Sequence, residues 1–186
     1  MWKLLASLWM KINGWKVMGA VPTEIKKAVM IAAPHTSNLD FLYSRSAFYL
    51  LGLPVKFAIK KEIMESMLGP LLKSMGAIGI DRSKGSQGKR NSYVDQMALY
   101  LKDHDHMFIM IAPEGTRKNV EKWKSGFYYI AKDAGVPLIC GYLDYKKKHA
   151  GIGPVMEVTD DPKSDMERVK AFYRTITPKY PELFNA

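Results

Sequence analysis

The sequence predicts a single α/β layered domain, with a mostly parallel central sheet flanked by helices and an amphipathic helix at the amino end. Three observations carry this. Short apolar runs alternate with helix-length segments along most of the chain, the pattern of a layered domain. The 186 residues suffice for one core without disulfide staples, and no linker divides them. The first twelve residues, MWKLLASLWMKI, place Leu4, Leu5, Leu8, Trp9 and Ile12 on one helical arc, with Lys3, Ser7 and Lys11 opposite.

Residues 1–13 therefore read as a helix of membrane-interface composition, with Trp on the apolar side and Lys on the polar side. The competing reading is a helix packed on the domain body. Strands are expected at 28–33, 55–59, 77–80, 107–112 and 137–142, with a further one at 155–158. Helices are expected at 39–51, 62–75, 87–102, 126–134 and 164–176. No apolar run reaches the roughly 18 residues that a membrane-spanning helix needs.

The chain carries 28 Lys and Arg against 18 Asp and Glu, a formal +10, and two stretches supply it. Residues 54–90 hold eight basic and three acidic side chains, and residues 115–150 hold the same numbers. Such a field favours anionic partners: a membrane, a phosphorylated small molecule or nucleic acid. The aromatic residues are not interleaved with the basic runs as a base-stacking platform requires, which argues against nucleic acid. The single cysteine, Cys140 in VPLICGY, reads as a small hydrophobe of a buried strand in a reducing compartment.

In open α/β sheets ligands collect beyond the carboxyl ends of the strands, and three strand exits carry unusual residues. The first, IAAPHTSNLD, delivers His35 and Asp40. Five residues apart on one helix, the two side chains diverge by about 140°. They meet only if His35 lies in the loop and Asp40 in the first helical turn. There the carboxylate would fix the imidazole tautomer and free the other nitrogen to take a proton. Ser37-Asn-Leu-Asp40 also fits a capping box, in which Asp40 reaches back to the Ser37 backbone N–H. Both roles stay open for Asp40 at this point.

The second exit, GAIGIDRS, places Asp81 and Arg82 at once after a strand, where an Arg suits bidentate anion recognition. The third, FIMIAPEGTRK, ends in Pro113, Glu114, Gly115, Thr116 and Arg117. A carboxylate, a permissive glycine, a hydroxyl and a guanidinium thus share one loop. By contrast, KDHDHM with His104 and His106 lacks a third ligand nearby and reads as a solvated turn. YKKKH at 145–149 reads as a solvated basic loop able to face anionic lipid. GSQGKR has the wrong glycine spacing for a nucleotide P-loop, and no Gly-x-Ser-x-Gly occurs.

In that order, HTSNLD, GAIGIDR, PEGTR and VPLICGY resemble the four sequence blocks of the glycerolipid acyltransferase superfamily, whose namesake is 1-acylglycerol-3-phosphate acyltransferase. AIKKEI and KWKSGFYYIAKDAGVP also sit where that family has similar text, so the likeness runs from about Gly14 to the carboxyl end. The resemblance implies residues 14–186 as an acyltransferase domain and transfer of a fatty acyl group from a thioester, on coenzyme A or acyl carrier protein, to a lipid hydroxyl. His35 would be the general base and Asp40 its orienting partner. Arg82, Glu114, Gly115, Thr116 and Arg117 would hold the acceptor, with Ser37, Lys60 and Lys124 as supporting candidates. Neither cofactor nor metal is implied beyond the thioester co-substrate. The expected setting is the cytoplasmic face of the inner membrane, with an anionic lipid surface as partner. Pro34 and Ala112 stand where many members have asparagine and an aromatic residue. Acylation of another lyso-lipid, such as an aminolipid or glycolipid, is the alternative for a chain this short, and a non-catalytic lipid-binding module is a further one.

Overall fold

A computed structural model describes residues 2–80 and 92–186. Helix α1 (Trp2–Ile12) precedes strands β1 (Lys16–Met18) and β2 (Lys27–Ala32), helix α2 (Leu39–Leu51) and strand β3 (Val55–Lys60). Two short helices follow, α3 (Lys61–Met64) and α4 (Gly69–Ser74), then β4 (Ala77–Ile80) and α5 (Ser92–Lys102). The remainder is β5 (Met107–Ile111), α6 (Gly126–Ala134), β6 (Leu138–Asp144), β7 (His149–Met156) and α7 (Pro162–Tyr173).

The strands form one sheet in the order β1-β7-β6-β2-β5-β3-β4, parallel at every junction except β6–β7. Alternation along β2 explains the layering. Val29 and Ile31 point into a core with Met97 and Leu101 of α5, Phe127 and Ile130 of α6, and Val169 and Tyr173 of α7. Ala28 and Met30 point the other way, toward Phe48 of α2. Gly79 of β4 faces Met64 of α3, while its neighbours Ile78 and Ile80 join the α5 side. Helices α1 to α4 thus cover one face of the sheet, and α5 to α7 the other. The buried Tyr173 hydroxyl lies 3.0 Å from the Ile31 carbonyl oxygen and 2.9 Å from that of Gly141, clasping the end of β2 to the middle of β6.

The expected strands and helices are present, with four departures. The last expected strand, 155–158, is instead β7 at His149–Met156, antiparallel to β6. The basic loop at 145–148 is the reversing turn, with Lys148 at φ 53°, so pairing with β6 sets the strand's place. Strand β1 was not anticipated. The expected helix 62–75 is broken into α3 and α4, because Gly69 packs where a Cβ would come within 1.9 Å of the Met64 carbonyl oxygen and Pro70 lacks an N–H. Helix α5 begins at Ser92, and the earlier part of the expected 87–102 segment lies outside the described residues.

Helix α1 settles between its two readings in a particular way. It docks on α2 through buried Ala6 and Met10, with Trp9 beside Tyr43 and Trp2 stacked on Tyr49. The leucine arc points outward: Leu4 is 77 % and Ile12 73 % exposed, with Leu5 and Leu8 also exposed.

Candidate active site

Strand β2 ends in a buried turn, Ala33–Thr36, that carries His35 to the start of α2. Asp40, in the first turn of that helix, organises it. Its Oδ2 accepts the backbone N–H groups of Thr36 and Ser37, each at 2.9 Å, and lies 3.1 Å from His35 Nδ1. Its Oδ1 accepts the Tyr145 hydroxyl at 2.6 Å. The two roles weighed for Asp40 are therefore one: the oxygen that reaches back to the helix entry is the oxygen that faces the imidazole. An ionised carboxylate can only accept, so His35 must present Nδ1–H to it. That leaves the Nε2 lone pair, which has no protein partner among the described residues, able to receive a proton.

Strand β5 ends alongside, and Glu114 reaches across to the same turn. Both of its carboxylate oxygens lie within hydrogen-bond distance of the His35 backbone N–H, at 3.2 and 3.1 Å, and the residue is only 4 % exposed. Burial pushes its carboxyl up to about 7, against the opposing pull of the His35 N–H. Gly115 follows at φ +67°, a conformation that suits glycine, and a Cβ there would lie 2.7 Å from Lys124 Nζ. The Lys124 backbone N–H donates to the Pro113 carbonyl at 2.9 Å, closing the loop. The exit loops of β2 and β5 are thus joined beneath the histidine by one carboxylate.

A cavity of about 400 Å³ opens at this junction and runs between α2 and the sheet. Asp40, Phe41, Ser44, Ala47, Phe48 and Leu51 form its helical wall, a stripe from the first turn of α2 to the last. At 1.5 Å per residue that stripe is roughly 16 Å long. The sheet wall is apolar, with Phe57 of β3, Met110 of β5 and Leu143 of β6. Apart from tyrosines, the titratable side chains on the lining among the described residues are His35, Asp40 and Arg117. The cavity is polar at one end and greasy along its length.

Of the residues singled out from sequence, His35, Asp40 and Arg117 meet around this cavity. Glu114, Gly115 and Thr116 stand in the adjoining loop without lining it, and the Thr116 hydroxyl accepts the Lys118 N–H. Ser37 is buried in the turn, where its hydroxyl accepts the Leu39 N–H. Lys60 lies exposed at the end of β3, and Lys124 packs over Gly115. Arg82 lies outside the described residues. Sequence reasoning missed Tyr145, which looked like the start of a solvated basic loop. An aromatic at the head of that loop, after an apolar strand, was the available signal. His104 and His106 are exposed, and no cluster of three metal-binding side chains occurs among the described residues. Cys140 is buried, and burial pushes its thiol up to about 12.

The chain is similar to known proteins in sequence and in fold. The family model described as Acyltransferase matches residues 15–143. A probable 1-acyl-sn-glycerol-3-phosphate acyltransferase of Mycoplasma pneumoniae is 31 % identical over 162 residues, spanning 77 % of this chain and 58 % of that protein. A protein of the same description from Mycoplasma genitalium is 33 % identical over 141 residues, spanning 73 % and 51 %. The chain therefore spans a little over half the length of these relatives. Among solved structures, the 1-acyl-sn-glycerophosphate (LPA) acyltransferase PlsC from Thermotoga maritima shares the fold, with a TM-score of 0.61 at 15 % identity over 94 % of this chain and 77 % of that one.

The Glu114 geometry carries a measurable consequence. With its value raised from 4.5 to about 7, the folded protein holds this proton more tightly than the unfolded chain. Its contribution to stability is complete below about pH 4.5, falls as pH rises toward 7 and is level above that. Urea titrations of the native chain and Glu114→Gln should therefore diverge across that window. The native chain should lose on the order of 2–3 kcal/mol relative to the variant. Parallel curves would show that folding leaves the carboxyl's hold on its proton unchanged.

Proposed function

The chain belongs to the acyltransferase family, and from that premise we propose that it moves a fatty acyl group from an acyl thioester to the free hydroxyl of a glycerolipid-type acceptor. The acceptor that fits best is 1-acylglycerol-3-phosphate, the substrate named for its relatives, in phospholipid synthesis. The carrying observation is the His35–Asp40 pair at the polar end of a long apolar cavity.

The acceptor hydroxyl gives its proton to His35 Nε2 as its oxygen attacks the thioester carbonyl carbon. The tetrahedral intermediate then collapses with cleavage of the C–S bond, and the imidazolium returns the proton to the departing sulfur. Asp40 holds the ring in the required tautomer and balances the transient positive charge. No acyl-enzyme intermediate is needed. The apolar cavity suits a hydrocarbon chain, each buried methylene contributing about 0.8 kcal/mol. Arg117, exposed at the rim, suits the acceptor phosphate, for which a guanidinium is a bidentate match. Glu114 acts here as the brace that fixes the backbone of His35 rather than as a direct grip on the acceptor. Coenzyme A or acyl carrier protein would deliver the acyl group.

Placement at the cytoplasmic face of the inner membrane is part of the same reading. No helix among the described residues is long and apolar enough to cross a bilayer. Residues 1–13 act as an interfacial element on the acyltransferase domain at 14–186, with the exposed leucine arc of α1 entering the lipid and Lys3 and Lys11 near its headgroups.

In a thiol-release assay His35→Ala should lower turnover by about 10²–10⁴-fold. Arg117→Ala should raise the acceptor KM severalfold with little change in kcat. Near-normal turnover in the first variant would remove the base assignment, and an unchanged KM in the second would point to an acceptor without phosphate.

A further inference from the structure

The two faces of the sheet differ in what they show to solvent. On the side of α5 to α7 the exposed large apolar residues within helices are Leu99, Tyr100 and Tyr129. On the other side they run across the whole layer, from Leu4, Leu5, Leu8 and Ile12 of α1, through Leu42 of α2, to Ile63, Met67, Leu68 and Leu71 around α3 and α4. Met67 is 97 % exposed and Leu68 60 %. Scattered exposed apolar residues need no explanation, but a one-sided set does. The α3–α4 tip is also well built: the Gly69 N–H donates to the Ser66 carbonyl at 2.8 Å, and the Leu72 N–H to that of Leu68 at 3.0 Å. The close fit of Gly69 on the Met64 carbonyl fixes the bend that turns residues 66–68 outward.

We propose that the α3–α4 hairpin is a second lipid-inserting element, with Met67, Leu68 and Leu71 entering the interface of an anionic bilayer alongside α1 and Lys60, Lys61 and Lys73 against its phosphates. Charge selects this occupant. Residues 2–76, which include the whole layer, hold ten Lys and Arg against four Asp and Glu; of these Arg45 and Asp40 are buried, and on the hairpin Lys61 pairs with Glu65 at 3.6 Å, so the excess at the surface remains positive. An anionic surface attracts each Lys that stands near it. Breadth selects it too, because the apolar positions are spread over the helices of one layer rather than gathered into a single groove. The hairpin directly follows β3, whose Phe57, Ala58 and Ile59 line the cavity, so anchoring it would hold the cavity at the membrane. The inference rests on the peripheral-membrane reading above.

Met67→Cys provides a specific probe, since the native Cys140 is buried. With an environment-sensitive dye at 67, added phosphatidylglycerol/phosphatidylcholine vesicles should shift emission to the blue, and brominated lipid should quench it. Met67→Glu/Leu71→Glu should weaken vesicle partitioning at least about tenfold, the equivalent of 1.4 kcal/mol. Its melting temperature and its turnover of a water-soluble short-chain thioester should not change. A dye that stays in water on vesicle-bound protein, or undiminished partitioning of the double variant, would overturn the proposal. So would a blue shift without vesicles that follows protein concentration, which would make the tip a self-association surface. If no chain releases thiol, the acyl-transfer reading fails instead.

A different observation carries a second inference. Tyr145 bonds Asp40 Oδ1 across 105 positions of sequence, and its ring stands edge-on to Trp15 with centroids 4.9 Å apart. Its backbone N–H donates to the Thr177 carbonyl at 2.8 Å. Burial, reinforced by the adjacent Asp40, raises its phenol, which keeps the hydroxyl a donor. We infer that Tyr145 is a positioning residue that stops the Asp40 carboxylate from turning and keeps Oδ2 aimed at His35. Tyr145→Phe should lower kcat about tenfold at constant acceptor KM, while in an Asp40→Asn background it should cost less than about twofold. Full activity, or an equal loss in both backgrounds, would show that Tyr145 does not act through Asp40.

Discussion

The site depends on one buried carboxylate. Asp40 Oδ2 gathers two backbone N–H groups and faces one imidazole nitrogen, while Oδ1 accepts the phenol of Tyr145, 105 positions away in sequence. Removing an ion from water is costly, and several charge-assisted bonds are what make it tolerable. The same bonds shape the turn between β2 and α2. A helix entry and the proposed catalytic dyad therefore share a single acceptor, and neither can be loosened without the other.

A second carboxylate supports the first from below. Glu114 accepts the His35 backbone N–H, so it fixes where the histidine stands while Asp40 fixes how the ring is turned. The parallel sheet makes this possible, because β2 and β5 are neighbours in register and deliver their exits to one place. The α2 stripe then extends the polar junction into a channel suited to a hydrocarbon chain, and α2 walls that channel on the side of the layer proposed to meet lipid.

Much of this was legible in the sequence where the physics is local. Apolar runs marked β4 at its observed limits and β2, β3, β5 and β6 to within a residue or two, and the His35–Asp40 spacing carried its own geometric requirement. What was not legible depends on distant pairing. The mixture of Gly, Pro and apolar residues in HAGIGPVM hides the β period, and only pairing with β6 makes it a strand. The break at Gly69 follows from a backbone contact with Met64 that no periodicity contains. Tyr145 was hidden by the lysines after it. Glu114 was recognised as important, but its direction, toward backbone rather than cavity, is a tertiary fact. The choice between capping and catalysis for Asp40 dissolved because one oxygen serves both.

The claim on which the rest turns is that Asp40 forces the neutral His35 ring to carry its proton on Nδ1. Long-range proton–nitrogen correlation spectra of histidine-labelled protein, at a pH where the ring is neutral, report that tautomer directly once His35→Gln identifies the signal. The account predicts a protonated Nδ1 and a bare Nε2 in the native chain, with the preference lost in Asp40→Asn. A ring protonated on Nε2 in the native chain would leave no lone pair facing the acceptor and would contradict it.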